Sequence, residues 1–277
     1  MENVQFFFFN KNGVPLEFSP ICGLTLRAAG SMRFRWAEQN CLRTEKLSEI
    51  ANGKIITSVQ LNHTKIVYDI YNSFEVNEKI GDGIITVNKD LMPVVTVADC
   101  VPIYFFDSKS QVFGVVHSGW KGTGIIENAI EIAVDKYKTD LNNFYIIIGP
   151  HIHNCCYIVN EQRANYFLSN FELKNKDFNY DYDFEIPDLV VPLEKDGVCF
   201  AGGRNLTAWN NGDGNLYRLS LLRANLNIIK KAGVPDNNVS IIKGCTCCDD
   251  IYGSNRRETT LNNSADSFTV QAAFIHW

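Results

Sequence analysis

Short runs rich in β-branched and aromatic residues, separated by turn residues, mark the first 120 positions as mostly strand-forming. KIVYDIY (65–71), GIITV (83–87), VVTV (94–97), VPIYFF (101–106) and VFGVVH (112–117) all read this way. The polar segment 107–111 is short enough to make the last two runs an antiparallel hairpin. Over residues 123–137 the period changes: Ile125, Ala129, Ile132 and Ala133 share one face, with Glu127, Glu131 and Lys136 elsewhere, which predicts a helix. FYIIIGP (144–150) reads as another buried strand and residues 160–171 as a second helix. A third helix is expected over 216–232, where Leu219, Leu222, Leu226 and Ile229 recur at helical intervals and Gly233 supplies the stop. VSII (239–242) and FTVQAAFI (268–275) close the chain as strands, and residues 174–188, acidic and aromatic without a period, read as a surface excursion. With no Pro, Gly or Ser linker and no repeat, a single mixed α/β domain over 1–277, of α+β class, is the simplest expectation.

Composition narrows the function classes. A chain of 277 residues with 45% hydrophobic content can bury a substantial core. The net charge of −5, with no run of Lys or Arg, leaves no electrostatic footprint for nucleic acid. The apolar run Phe6 to Phe9 is too short for a signal-peptide core, and no stretch approaches the roughly 20 apolar residues of a membrane helix. A cytoplasmic protein without membrane or nucleic-acid partners is therefore expected. In that setting nine cysteines read as free thiols or metal ligands rather than a disulfide framework.

Metal-ligand residue types concentrate at strand ends: His63 in QLNHTKIV, Cys100 in TVADCVPI and His117 in VVHSGWKGTG. Imidazole and thiolate are donors that zinc accepts, and Cys100 and His117 fall at the ends of opposite hairpin arms, away from the turn. Three protein ligands would leave a fourth tetrahedral position open, as in catalytic zinc sites. Read from residues alone, the three are equally satisfied core side chains. Gly119, Gly122 and Gly124, ahead of a helix, are either turn residues or a backbone cradle for an anion such as phosphate. His151 and His153 face a pocket or are surface loop residues. Cys245, Cys247 and Cys248 read as free thiols, with no matching set of partners beside them.

TVADCVPIYFF, VVHSGWKGTG and IIIGPHIHNCCYIV, in that order, resemble the signature blocks of the laccase-like polyphenol oxidase family, now regarded as purine nucleoside phosphorylases. GDGIIT, with Asp82, resembles an upstream block, and CTCCDDIYGSNRRE (245–258) the C-terminal block ending in Ser-x-Arg-Arg. The resemblance implies a cytotoxic necrotizing factor-like fold of stacked mixed sheets flanked by helices, and zinc held by His63, Cys100 and His117. It also implies phosphorolysis of adenosine- or inosine-type nucleosides, with adenosine deamination in the same pocket. Arg33, Lys121, Gly119 and Gly122 are then candidates to cradle phosphate, and Asp99 to orient a ligand or relay a proton.

The chain departs from the pattern in places. Gln60-Leu61-Asn62-His63 is one residue longer than Gln-x-His, Gly30-Ser31-Met32-Arg33 stands where an Arg-x-Gly-Gly segment is usual, Lys121 replaces Arg, and Ile158 replaces Glu. Two alternatives follow. A copper-dependent phenol oxidase would need more histidines than the five present, so copper is the lesser expectation. A zinc ion that only braces the fold would keep the same ligands without turnover.

Overall fold

The computed structural model describes residues 3–173, 185–193, 200–201, 204–205, 215–262 and 267–277. Two sheets form its centre. The first has five strands in the order Val4–Phe8, Ile21–Thr25, Gln271–His276, Leu91–Val97, Ile55–Ser58. The second has six, in the order Val239–Ile241, Phe144–Ile148, Val101–Asp107, Phe113–Ser118, Gly83–Thr86, Val67–Asp69. Both mix parallel and antiparallel pairs. The expected hairpin is present, with His117 paired to Pro102 and Ser118 to Val101.

The alternation of side chains along a strand explains the layers. From Val101–Asp107, Tyr104 and Phe106 point into the space between the sheets and meet Phe7, Leu24 and Val95 of the first sheet. Ile103 and Phe105 point the other way, onto helices α2 (Ile125–Tyr137) and α4 (Leu221–Ala232), where Ile126, Ala129, Leu226 and Ile229 are buried. A strand covered on both faces has no polar side, so the run VPIYFF is apolar throughout. On the far face of the first sheet, α1 (Cys41–Ala51) buries Leu47 and Ala51 against Met92, Val94 and Phe274. The sheets thus stack with helices on both outer faces, the α+β architecture expected. Within the first sheet, Gly23 leaves room for the ring of its cross-strand partner Phe274, which a Cβ at that position would strike.

Several elements differ from the sequence reading. The third helix begins five residues late: Leu216–Leu219 is a strand, paired on one side with Ile158–Asn160 and on the other with Val190–Pro192. The helix starts only after Ser220, whose Oγ accepts from the Arg223 amide at 3.0 Å. A good N-cap inside an apparently continuous helical period decided the boundary. Helix α1 was hidden in the N-terminal region read as strands; its signal is Asn40, whose side chain caps the Arg43 amide at 3.0 Å. Helix α3 (Glu161–Phe171) matches its expectation, whereas the terminal strand runs over Gln271–His276. Of the excursion read over 174–188, residues 174–184 lie outside the described residues.

Candidate metal centre and cleft

The site forms where the chain crosses between the sheets. Leu91–Val97 belongs to the first sheet and Val101–Asp107 to the second, and the turn Ala98-Asp99-Cys100 joins them. Asp99 takes a positive φ of 76°, which makes the turn tight enough to place Cys100 at the mouth of the second sheet. His117 comes from the neighbouring strand, and His63, at φ 55°, from the loop before Val67–Asp69. One donor atom from each of His63, Cys100 and His117 lies within 4.8 Å of the others. Cys100 and His117 are largely enclosed, while His63 is exposed, so the set opens on one side.

Asp82 holds this arrangement. Its carboxylate accepts from His117 Nδ1 at 2.8 Å and from the amides of His63 at 3.0 Å and Thr64 at 2.6 Å, with the Thr64 hydroxyl at 2.7 Å. Fixing Nδ1 as the donor leaves His117 Nε2 to face the other two ligands. The buried Asp82 carboxyl stays below its ordinary range: burial would raise it, but the hydrogen bond and charge of His117 prevail. Burial likewise opposes charge on Cys100 and His117, yet each stabilises the other's charge. The Cys100 thiol is pulled down to about 6 by His117 and His63, and His117 is pushed up to about 10 by Cys100 and Asp82. Both shifts favour a thiolate beside an imidazolium, and an ion binding there would displace the imidazolium proton. Gly119 passes so close that a Cβ would lie 2.8 Å from His63 Cδ2 and 3.1 Å from Cys100 Sγ.

The three residues open into a cleft of about 690 Å³. Trp120, Tyr157, Arg163, Asn62 and Leu221 contribute to its walls, with Arg33, Phe34 and Phe268 toward the first sheet. The Arg163 guanidinium lies 4.3 Å from the Trp120 ring centroid and donates to the Tyr157 hydroxyl at 3.4 Å. Arg33 stands 5.2 Å over Phe268. Asp99 lines the cleft too, but its carboxylate accepts from Thr246 Oγ1 at 2.7 Å and from the Arg256 amide at 2.6 Å. Burial raises its pKa against those donors. In this geometry Asp99 fastens the Cys100 turn to the C-terminal block.

The remaining candidates are distributed as follows. Lys121 is exposed, its Nζ 5.3 Å from the Trp120 centroid. Gly122 seats the loop on the Thr64 carbonyl, which a Cβ would meet at 2.6 Å. Neither is among the residues lining the cleft. His151 is buried, contrary to a surface reading, and burial pushes it down to about 3. Cys245 and Cys248 do have partners, because Cys155 and Cys156 come from another loop to meet them. The sequence reading gave no role to Asp82, Tyr157 or Arg163. For Asp82 a signal existed: a carboxylate one step before a strand adjacent to the His117 strand.

The chain thus presents a stacked-sheet fold in which His63, Cys100 and His117 lie close enough together to hold a metal ion. The chain belongs to the family described as multi-copper polyphenol oxidoreductase laccase, whose model matches residues 35–265. Among its relatives, the purine nucleoside phosphorylase of Borreliella burgdorferi is 34% identical over 121 residues, covering 43% of this chain and 52% of that protein. Purine nucleoside phosphorylase YlmD of Geobacillus stearothermophilus is 26% identical over 180 residues, covering 64% and 55%. The chain thus matches about half the length of these curated relatives. In three dimensions it is similar to YlmD from Geobacillus stearothermophilus (TM-score 0.72, 20% identity, 98% of this chain and 96% of that one). It is also similar to the hypothetical protein YfiH of Bacillus licheniformis (TM-score 0.70, 20% identity, 93% and 92%).

Proposed function

We propose that this chain is a zinc-dependent, cytoplasmic purine nucleoside phosphorylase acting on adenosine- and inosine-type nucleosides, with adenosine deamination in the same cleft. The observation that carries the reading is the open set of His63, Cys100 and His117 at the base of an arginine- and aromatic-lined cleft, in a chain whose relatives are named for phosphorolysis. The donors fit zinc: two imidazoles and a thiolate already inclined to ionise, with a carboxylate holding one imidazole in the required tautomer. A zinc ion there would supply Lewis acidity toward a substrate atom facing the vacant side.

The protein's own groups do the rest. Phosphorolysis breaks the bond from the ribose carbon to the purine nitrogen and forms one from that carbon to a phosphate oxygen, the purine leaving with a proton. Trp120 and Tyr157 offer flat surfaces for a purine, and Arg163 and Arg33 offer positive charge for phosphate. Holding both reactants in a shared cleft supplies proximity. Deamination would use the same cleft with water as nucleophile and an amidine-like ring carbon as the centre attacked, releasing ammonia. A copper oxidase would need further histidine ligands, whereas His151 and His153 lie against each other as a tilted pair with ring centroids 4.9 Å apart and His276 belongs to the terminal strand of the first sheet.

Incubation with adenosine or inosine, with and without phosphate, read by mass, tests the proposal. Free purine and ribose 1-phosphate should appear only with phosphate, inosine should form from adenosine, and Cys100→Ala should remove both zinc and turnover. Undiminished turnover in metal-replete Cys100→Ala, or unchanged nucleosides at full zinc content, would overturn it.

A further inference from the structure

Away from the cleft, two loops bring four thiols together. Cys155 and Cys156 follow the Phe144–Ile148 strand, and Cys245 and Cys248 precede helix α5 (Asn255–Asn262). The four Sγ atoms all lie within 4.8 Å of one another. Cys155 is 3.6 Å from Cys156, 3.7 Å from Cys245 and 3.6 Å from Cys248, and Cys156 is 3.2 Å from Cys248. A disulfide needs about 2.05 Å, and none of the four is bonded. Four thiolates each about 2.3 Å from a central zinc have tetrahedral edges of about 3.8 Å, close to most of these separations.

We propose that Cys155, Cys156, Cys245 and Cys248 bind a second zinc ion in a closed tetrathiolate site. Cys245-x-x-Cys248 gives the spacing of a zinc knuckle, and the amide of His153 donates to Cys245 Sγ at 3.4 Å, as backbone groups do around metal thiolates. Cys247, between them, is buried in the core and takes no part. Two arginines fix the two loops. Arg256 donates to the carbonyls of Cys156 at 3.2 Å and Ile158 at 3.4 Å, and Arg257 to those of Thr246 at 2.6 Å and Asp249 at 2.9 Å. Their charges offset a site that, with four thiolates on a divalent ion, is doubly negative.

With all four positions filled by protein, this ion has no place for substrate and acts as a brace. What it braces is specific, because Thr246, within the cysteine loop, donates to Asp99 of the turn that presents Cys100. The second site therefore holds the first in place.

Zinc counting on the full-length chain, expressed with zinc and under reducing conditions, tests this. Wild type should carry two ions per chain and Cys100→Ser one. Cys248→Ser, altering an exposed thiol, should also carry one, as should Cys155→Ser, with far-ultraviolet circular dichroism confirming the fold. In Cys100→Ser refilled with cobalt, intense sulfur-to-cobalt charge transfer should appear, and it should vanish when Cys248→Ser is added. A Cys100→Ser protein that is folded and metal-free overturns the tetrathiolate site, as does an unchanged zinc content in both Cys248→Ser and Cys155→Ser. Two ions in wild type that both survive Cys100→Ser would instead count against the open site.

Discussion

The Asp82 carboxylate accepts from His117 Nδ1 at 2.8 Å and, through the same oxygen, from the His63 amide at 3.0 Å. One buried group thereby orients one ligand by its ring and another by its backbone. Asp82→Asn keeps the shape but faces these donors with an amide. Zinc affinity of the open site should fall about 10- to 100-fold, measured by competition with a chromophoric chelator. Unaltered affinity would mean that the ligands are positioned without Asp82.

Gly119→Ala would thrust a methyl group among the three ligands, 2.8 Å from His63 Cδ2 and 3.3 Å from His117 Cε1. Because His63 is exposed and can swing away, the fold should survive with little change in thermal midpoint. Zinc affinity should drop at least about tenfold, because ligand placement matters at the half-ångström scale. A variant that melts far below wild type would place the role of Gly119 in folding instead.

In metal-stripped protein, alkylation of Cys100 followed by peptide mass spectrometry should reach half its maximal rate near pH 6, against about 8.5 for an ordinary thiol. His117→Ala removes the charge that outweighs burial, so the midpoint should move upward. A midpoint in the ordinary range for wild type would show that no thiolate–imidazolium pair forms.

Arg163 spans Trp120 and Tyr157 on the cleft wall. Arg163→Ala should lower kcat/KM for phosphorolysis about 10- to 100-fold, the value of one charged hydrogen bond. Arg163→Lys should restore only part of it, since an ammonium carries the charge without the flat stacking surface. Full activity in the alanine variant would remove Arg163 from the phosphate-binding role.

Thr246→Val deprives the buried Asp99 carboxylate of a donor at 2.7 Å, which should cost about 1.5–3 kcal/mol in urea unfolding near neutrality. Asp99 has its folded pKa raised by burial, so ionising it disfavours the folded state as pH rises from the unfolded to the folded pKa. The loss should accordingly shrink in acid, where the carboxyl is protonated. A loss independent of pH would point to packing rather than to the hydrogen bond.

The central hairpin and the burial of VPIYFF were legible because each rests on local pattern, whereas the convergence of His63, Cys100 and His117 was suggested by residue type and singled out by the family resemblance. The three-stranded sheet around Leu216–Leu219 was not legible, since its partners lie far away at Ile158–Asn160 and Val190–Pro192, and leucines at helical spacing masked a strand leading into a cap. Asp82 escaped for a related reason: its value depends on two histidines approaching from either side in space. The same holds for Cys155 and Cys156, which acquire meaning only when the Cys245 loop folds against them.

Although the chain crosses between sheets at Ala98-Asp99-Cys100, the candidate ligands all hang on the second sheet: Cys100 leads into Val101–Asp107, His117 lies in the strand beside it, and His63 precedes Val67–Asp69. The thiol and the imidazoles therefore gain a common address once the strands of that one sheet pair, so loading with an ion can precede closure of the sandwich. Chelator resistance during refolding would consequently report the assembly of that sheet rather than the meeting of the two.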